Sequence, residues 1–328
     1  YHVCLLEAGP SDKHWSIHLP LGLIELMKSK TLNWQFNSDP EASQNNRQIF
    51  NPRGKVLGGS SSINAMLYVR GQKQDYDHWA ELGNNEWSFE HVLPYFKKTQ
   101  HQERGEDNYH GVNGELNVAD SRSKIPVGDD FIAAAVQAGY ACNNDFNAEQ
   151  QEGIGYYQVT QKNGQRHSAA TAFLTPNLKR ANLTVITNAL VQKLIIENKQ
   201  AKGVCFKIKG KSQQIFAKKE VLLSAGAFNS PQILMLSGIG AKSELSQHGI
   251  EVIHELAGVG QNLQDHVDVM VVNHHHRSDL LAYRPKASWW FVKQAWQYFT
   301  KQRGLLTSTV AEAGGFIKSS AELSRPDL

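Results

Sequence analysis

Short apolar runs bounded by Gly, Asn and Lys alternate along this chain with stretches whose apolar residues recur at helical spacing. HVCLLEAGP (residues 2–10) is a brief apolar run closed by an acidic residue and Gly-Pro, the pattern of a buried strand entering a loop. WSFEHVLPYFKK (87–98) sets Val92, Leu93 and Phe96 on one face behind Ser88 as N-cap, and VGDDFIAAAVQAGY (127–140) reads as a second amphipathic helix ending at Gly139. NLTVIT, ALVQKLIIE, AKGVCFKIKG and QQIFAK, between residues 182 and 218, are short β-rich runs that predict an antiparallel meander. EVLLSAGA (220–227) returns to the buried-strand type. In NSPQILMLSGIG (229–240), Ser230 serves as N-cap, Pro231 opens the helix, Ile233, Leu234 and Leu236 form its buried stripe, and Gly238 stops it. KSELSQHG (242–249) predicts another amphipathic piece, and IEVIHEL (250–256) alternates like a half-exposed strand.

The order strand, helix, meander, strand, helix suits a doubly wound α/β domain, Rossmann-like, with an embedded antiparallel layer. Residues 1–70 and 160–268 are assigned to that domain, and 71–159 with 269–328 to inserted portions of a second, α+β domain. The chain opens on YHVCLLEAG without Met and stops at SSAELSRPDL with no closing element, so a fragment of a longer protein is expected.

Composition narrows the classes. With 328 residues, 41% hydrophobic and 20% charged, the chain is ordinary globular material. Lys+Arg 34 against Asp+Glu 31 is too balanced, and too scattered, for a nucleic-acid surface. Cys4, Cys142 and Cys205 lie far apart without a CxxC pair, which signals neither a disulfide framework nor zinc and fits a reducing compartment. No apolar run reaches the ~20 residues of a membrane-spanning helix, so a soluble or peripheral protein is expected.

GKVLGGSSSIN (54–64) is the stretch richest in chemistry. A Gly-Gly pair lets the main chain approach a ligand closely, and Ser60 to Ser62 can cap a helix with INAMLYV (63–69) as its apolar body. Free N–H groups at such a helix start favour an anion such as a diphosphate; the same residues also suit a plain Gly-Ser turn before a capped helix. GKS at Gly210 to Ser212 has the wrong spacing for a phosphate loop, and GVGQNL from Gly258 lacks the third glycine of a dinucleotide fingerprint. Glu7, at the carboxyl end of the first strand, is placed where a nucleotide-binding fold wants an acidic residue, or is an ordinary loop carboxylate. His274 to His276 point to alternate faces of a strand and lack partners for a metal site, so no metal is expected. His110 is read in the same way, as a polar strand or loop histidine, and His266 as a packing residue rather than a chemical one.

GKVLGGSSSINAMLYVRGQKQDYD (54–77) resembles the first signature of the glucose-methanol-choline (GMC) oxidoreductases, and GAFNSPQILMLSGIG (226–240) resembles the second. LLEAGP, NWQFNSDPE, NGQRHSAATAFL, GVGQNLQDH and AEAGGF extend the likeness over the whole chain, which is most similar to bacterial alcohol and choline dehydrogenases. YYQVTQKNGQR and VAEAGGFIKSS lean toward the branch serving aliphatic primary alcohols.

The resemblance implies FAD. By it, the Rossmann-like domain is an FAD-binding domain, Glu7 binds the adenosine ribose, Gly59, Ser60, Asn64 and Ala65 lie along the diphosphate and flavin, Val191 contacts adenine through its backbone, and Trp34 sits near the cofactor. Some choline-oxidising relatives link the flavin covalently through a His just before the equivalent of Asn64; Ile63 stands there, which implies non-covalent FAD. Glu312 resembles a family carboxylate near the substrate that can also serve structurally, and the catalytic His pair is expected beyond Leu328, which leaves this chain inactive alone. The reaction that the resemblance implies is oxidation of a primary alcohol by hydride transfer to the flavin, with a quinone-type acceptor and a location in the cytoplasm or peripheral to the inner membrane. Choline as substrate, or a non-redox FAD lyase of the same fold, is the alternative.

Overall fold

The computed structural model describes residues 1–274 and 288–328. His275 and His276, from the histidine run noted above, lie outside the described residues. Contacts divide the chain into two compact units, Tyr1–Pro10 with Ala181–His275 and Ser11–Arg180 with His276–Leu328. Residues 11–70 and 160–180 thus pack within the second unit. The architecture is α/β, with helices and mixed short sheets.

In the first unit, Val3–Leu6 pairs in parallel with Leu183–Ile186, Val3 opposite Leu183 and Leu6 opposite Ile186. The expected meander forms from Leu190–Glu197, Gln200–Ile208 and Lys211–Phe216, all antiparallel; NLTVIT belongs instead to the parallel pair. Its two turns place Asn198, Lys199, Lys209 and Gly210 at positive φ, the two-residue hairpin geometry that follows the right-handed twist of the strands. Leu194, Val204 and Phe206 face Ala189 and Ile233 in one apolar core, which lays the helix Gly226–Leu236 against the sheet.

Three expectations about this unit are corrected. The helix begins at Gly226, not Ser230, so Pro231 lies inside it; the Ser230 hydroxyl turns back to accept from the Ala225 N–H at 2.9 Å and stitches the preceding turn to the helix. EVLLSAGA forms no ladder, because no strand among the described residues pairs with it. Its alternation survives: Val221 and Leu223 pack on the core while Leu222 is 79% exposed. Val3 and Leu5, read as buried, are exposed, as is Cys4 between them, since of this strand only Leu6 packs on the apolar core.

The second unit carries the helices Lys73–Glu81, Phe89–Thr99 and Pro126–Gln137. Val92, Leu93 and Phe96 are half-buried as the spacing predicts, and Gly139 ends its helix at φ +97. Ala313–Phe316 pairs antiparallel with Gly153–Tyr156. The hairpin Gln161–Lys162 with Gln165–Arg166 turns at Asn163 and Gly164, both at positive φ. Ile17, Leu26, Leu32, Val56 and Ile63 form an apolar cluster in this unit.

The helix expected over residues 63–69 does not exist. Gly59–Ser62 makes one 3-10 turn, after which the chain extends and Leu67 bridges Val159 in antiparallel fashion. Tyr68 N–H donates to Gln158 O, and Thr160 N–H to Met66 O. The physical reason is twofold. The serine hydroxyls bond backward to carbonyls, Ser61 Oγ to Gly58 O and Ser62 Oγ to Leu57 O, which competes with helix propagation. Pairing with residues 158–160 then satisfies the main chain that a helix would have satisfied.

Candidate functional site

The three glycines of the loop 54–66 serve two different ends. A Cβ on Gly54 would collide with the Gly59 carbonyl, and one on Gly58, at φ +88, with the Ser62 hydroxyl. Both are bare because the loop folds onto itself. Gly59 is different: its φ is +55, and a Cβ there would meet nothing within 4 Å. Its uncovered main chain faces open space, which is what close approach of a ligand needs.

The three serines divide in the same way. Ser62 is fully buried and Ser61 bridges two segments, donating to Gly58 O at 2.6 Å and accepting from Ala169 N–H at 2.9 Å. Ser60 is exposed and accepts from Gly54 N–H at 3.1 Å. Because the turn is only four residues long, any anion contact here rests on single donors rather than on the macrodipole of a helix.

Beneath the loop lies Arg166, 1% exposed. Its Nε donates to Ile17 O at 2.8 Å; its Nη1 contacts Ser61 O at 3.1 Å, Asn64 O at 2.7 Å and Asn64 Oδ1 at 2.8 Å. Burial pulls its pKa down to about 10, and no carboxylate among the described residues pairs with it. Asn64 Oδ1 also accepts from Met66 N–H at 3.0 Å, while the residue itself is exposed. Met66 is buried at φ +61, a conformation held by these bonds.

Trp34 is carried to the same loop. Asn33 bridges Gly54, and Asn33 Oδ1 accepts from Arg53 N–H. The Lys55 ammonium sits 4.7 Å from the centre of the Trp34 ring, on which Phe36 also stacks. Trp34, Gly59, Ser60, Asn64 and Ala65 therefore all belong to the second unit. Glu7 and Val191 belong to the first. There Glu7 Oε1 accepts from Gly9 N–H at 2.8 Å, and the Glu7 carbonyl accepts from Ala189 N–H, next to the strand that holds Val191. Val191 pairs with Phe206 just before a bulge and is half-buried against the core.

Glu312 is 6% exposed: its Oε2 accepts from Ile125 N–H at 2.8 Å, and its Oε1 has no hydrogen-bond partner among the described residues. His110 is likewise buried, with Nε2 3.0 Å from Asp145 Oδ2. Burial opposes ionisation of Asp145, but the His110 contact, the Asn147 N–H and the Arg104 charge outweigh it and hold the carboxyl below its ordinary range. No group of three or more metal-ligating side chains occurs among the described residues.

Sequence reasoning passed over Arg166 and His167, though both stand in NGQRHSAATAFL. The signal was there: an Asn-Gly hairpin turn fixes which face the next basic residue takes. His167 is buried and its Nδ1 accepts from Asn117 N–H at 3.1 Å.

Comparison with known proteins adds a lineage to this geometry. Residues 23–268 match the family model described as GMC oxidoreductase. The chain is 46% identical over 333 residues to an alcohol dehydrogenase (acceptor) of Pseudomonas putida, covering 99% of this chain and 60% of that protein. It is 42% identical over 331 residues to an oxygen-dependent choline dehydrogenase of Photobacterium profundum, covering 100% of this chain and 58% of the relative. Among solved structures, an FAD-dependent oxidoreductase from Chaetomium thermophilum matches with a TM-score of 0.84 at 29% identity, over 96% of this chain and 57% of that one. The chain spans 58–60% of the length of the first two relatives.

Proposed function

The chain belongs to the GMC oxidoreductase family, and from that premise we propose that it forms the FAD-binding portion of an enzyme that oxidises a primary alcohol to an aldehyde and delivers the electrons to a quinone-type acceptor. The observation that carries the reading is the 46% identity to the Pseudomonas putida alcohol dehydrogenase across 99% of the chain.

The residues present fit the cofactor. Gly59 offers bare main chain beside open space, and exposed Ser60 and Asn64 flank it, so this loop would hold the diphosphate and flavin together with Ala65. Trp34 would lie alongside; in the first unit, taken by itself, Glu7 and Val191 are the residues that the family likeness assigns to the adenosine end. FAD, when bound, supplies the acceptor for a hydride from the alcohol carbon. Ile63 is a hydrocarbon 2% exposed, with no nucleophilic atom, which supports dissociable rather than covalent FAD; acid precipitation that leaves the flavin in the supernatant is the expected check. Glu312 ties residue 125 to the strand Ala313–Phe316, and we assign it a bracing role. We place the protein in the cytoplasm, or peripheral on the inner membrane where a quinone-type acceptor would be met; no helix among the described residues is long and apolar enough to cross a membrane.

Choline is the competing substrate because the Photobacterium profundum relative is named for it. The experiment is an anaerobic absorption titration of the full-length protein. Octanol is expected to bleach the oxidised-flavin band and choline to leave it. Bleaching by choline alone would reverse the substrate assignment, a band that no alcohol bleaches would favour non-redox use of the flavin, and activity with NAD in the absence of flavin would end the reading.

A further inference from the structure

Asn64 presents one face inward and one outward, and the inward chemistry decides the outward one. An amide side chain has an acceptor end and a donor end of nearly equal shape, and only its neighbours settle which way it points. Asn64 has two inward neighbours, the Arg166 Nη1 at 2.8 Å and the Met66 N–H at 3.0 Å. A guanidinium has no acceptor, and neither does a backbone N–H. Both can only donate, so the amide oxygen faces them and the Nδ2 group faces out from an exposed residue.

Arg166 is also the less replaceable of the two inward donors. It reaches Asn64 twice, at the side chain and at the carbonyl, and anchors both contacts to Ser61 O and to Ile17 O in a separate segment. Its charge is buried without a carboxylate among the described residues, an arrangement that costs stability unless neutral oxygens compensate it. The rigid fork lets Nε reach Ile17 O while Nη1 reaches Ser61 O and Asn64, with Nη2 buried and without a hydrogen-bond partner among the described residues; an ammonium is a compact point charge without that fixed spread of donors.

We propose that Arg166 is a positioning residue that fixes Asn64 as a hydrogen-bond donor toward bound FAD, beside the bare main chain of Gly59. The cofactor is rich in acceptor oxygens and ring nitrogens, so a loop whose outward amide end donates is matched to it, and one turned the other way would repel it. This rests on the FAD reading above, and the test separates the two.

The substitution Asn64→Asp replaces the amide with a carboxylate of the same shape. Toward Arg166 it gains an ion pair; toward the ligand it loses its only donor. The thermal midpoint of the full-length apoprotein is therefore expected to stay level or rise, while the FAD dissociation constant, read by quenching of flavin fluorescence, rises about tenfold or more, the scale of one lost hydrogen bond with an acceptor left facing an acceptor. Arg166→Met is expected to weaken FAD binding as well, and Arg166→Lys to retain the charge without restoring affinity. Since Arg166→Met removes several bonds and endangers folding, Asn64→Asp carries the decision. A folded Asn64→Asp protein that binds FAD with native affinity would overturn the proposal. Native protein that binds no flavin at all would overturn the FAD reading beneath it.

Discussion

The meander of the first unit and the loop 54–66 of the second are both ordered, by different means. Leu190–Phe216 is held by ladder hydrogen bonds between neighbouring strands and by one apolar layer, with Leu194, Val204 and Phe206 against Ile233. The loop has no ladder along most of its length; side-chain bonds to other segments hold it, Arg166 reaching in from a hairpin and the loop's own Ser61 accepting from the Ala169 N–H. In the meander what counts is apolar volume and alternation, properties many residues share. In the loop it is the number and direction of donors, which few residues can copy.

That contrast can be broken at its strongest point first. Phe206→Ala in the meander is expected to lower the unfolding free energy by about 3–5 kcal/mol in a urea titration, whereas Ile233→Leu, which keeps volume, costs under about 1.5 kcal/mol. Arg166→Met is expected to cost about 3 kcal/mol, since several carbonyl-type oxygens lose a donor and each unsatisfied one carries a penalty of about 1–3 kcal/mol, partly offset by no longer burying a charge. Here the conservative change offers little relief: Arg166→Lys should recover less than half of that loss. If Lys served as well as Arg, fork geometry would not be what holds the loop.

Smaller effects sharpen the picture. Gly58→Ala is expected to cost about 2 kcal/mol, as it adds left-handed strain and a clash with the Ser62 hydroxyl, while Gly59→Ala costs about 1 kcal/mol because only the strain remains. Thermal melts of the two apoproteins check the difference. The smallest effect is a pH dependence. Burial first, and the Lys162 charge second, hold the His167 pKa below 6.5, and its Nδ1 must be unprotonated to accept from Asn117 N–H. The unfolded chain therefore takes up the proton before the folded one, so this contribution is intact above pH 6.5 and falls as the pH drops from there toward the folded pKa. Melts of His167→Gln should show a shallower decline across that interval.

The same division explains what could be read in advance. Hairpins, the meander and the helices at 89–99 and 126–137 follow from alternation, spacing and Gly or Asn turns, all local signals. The stretch 63–69 misleads because its composition is helical in appearance while its conformation is set by residues 158–160 and 166, far along the chain. Helix 226–236 begins early for a related reason: a hydroxyl that can cap a helix can also reach back to the turn before it. Gly59 and Asn64 stood out as candidate ligand contacts through their motif, and the structure leaves open space at Gly59 and leaves Asn64 exposed. The buried cation that orients Asn64 did not stand out, because no local pattern marks a side chain whose partners are distant carbonyls.

The central claim is that the loop from Gly59 to Ala65, braced from below by Arg166, is the surface on which FAD lies. Amide hydrogen exchange of the full-length protein, measured with and without FAD, tests it most directly. Exchange is expected to slow across Gly59 to Ala65 when FAD binds. Flavin bound tightly with exchange there unchanged would contradict the account.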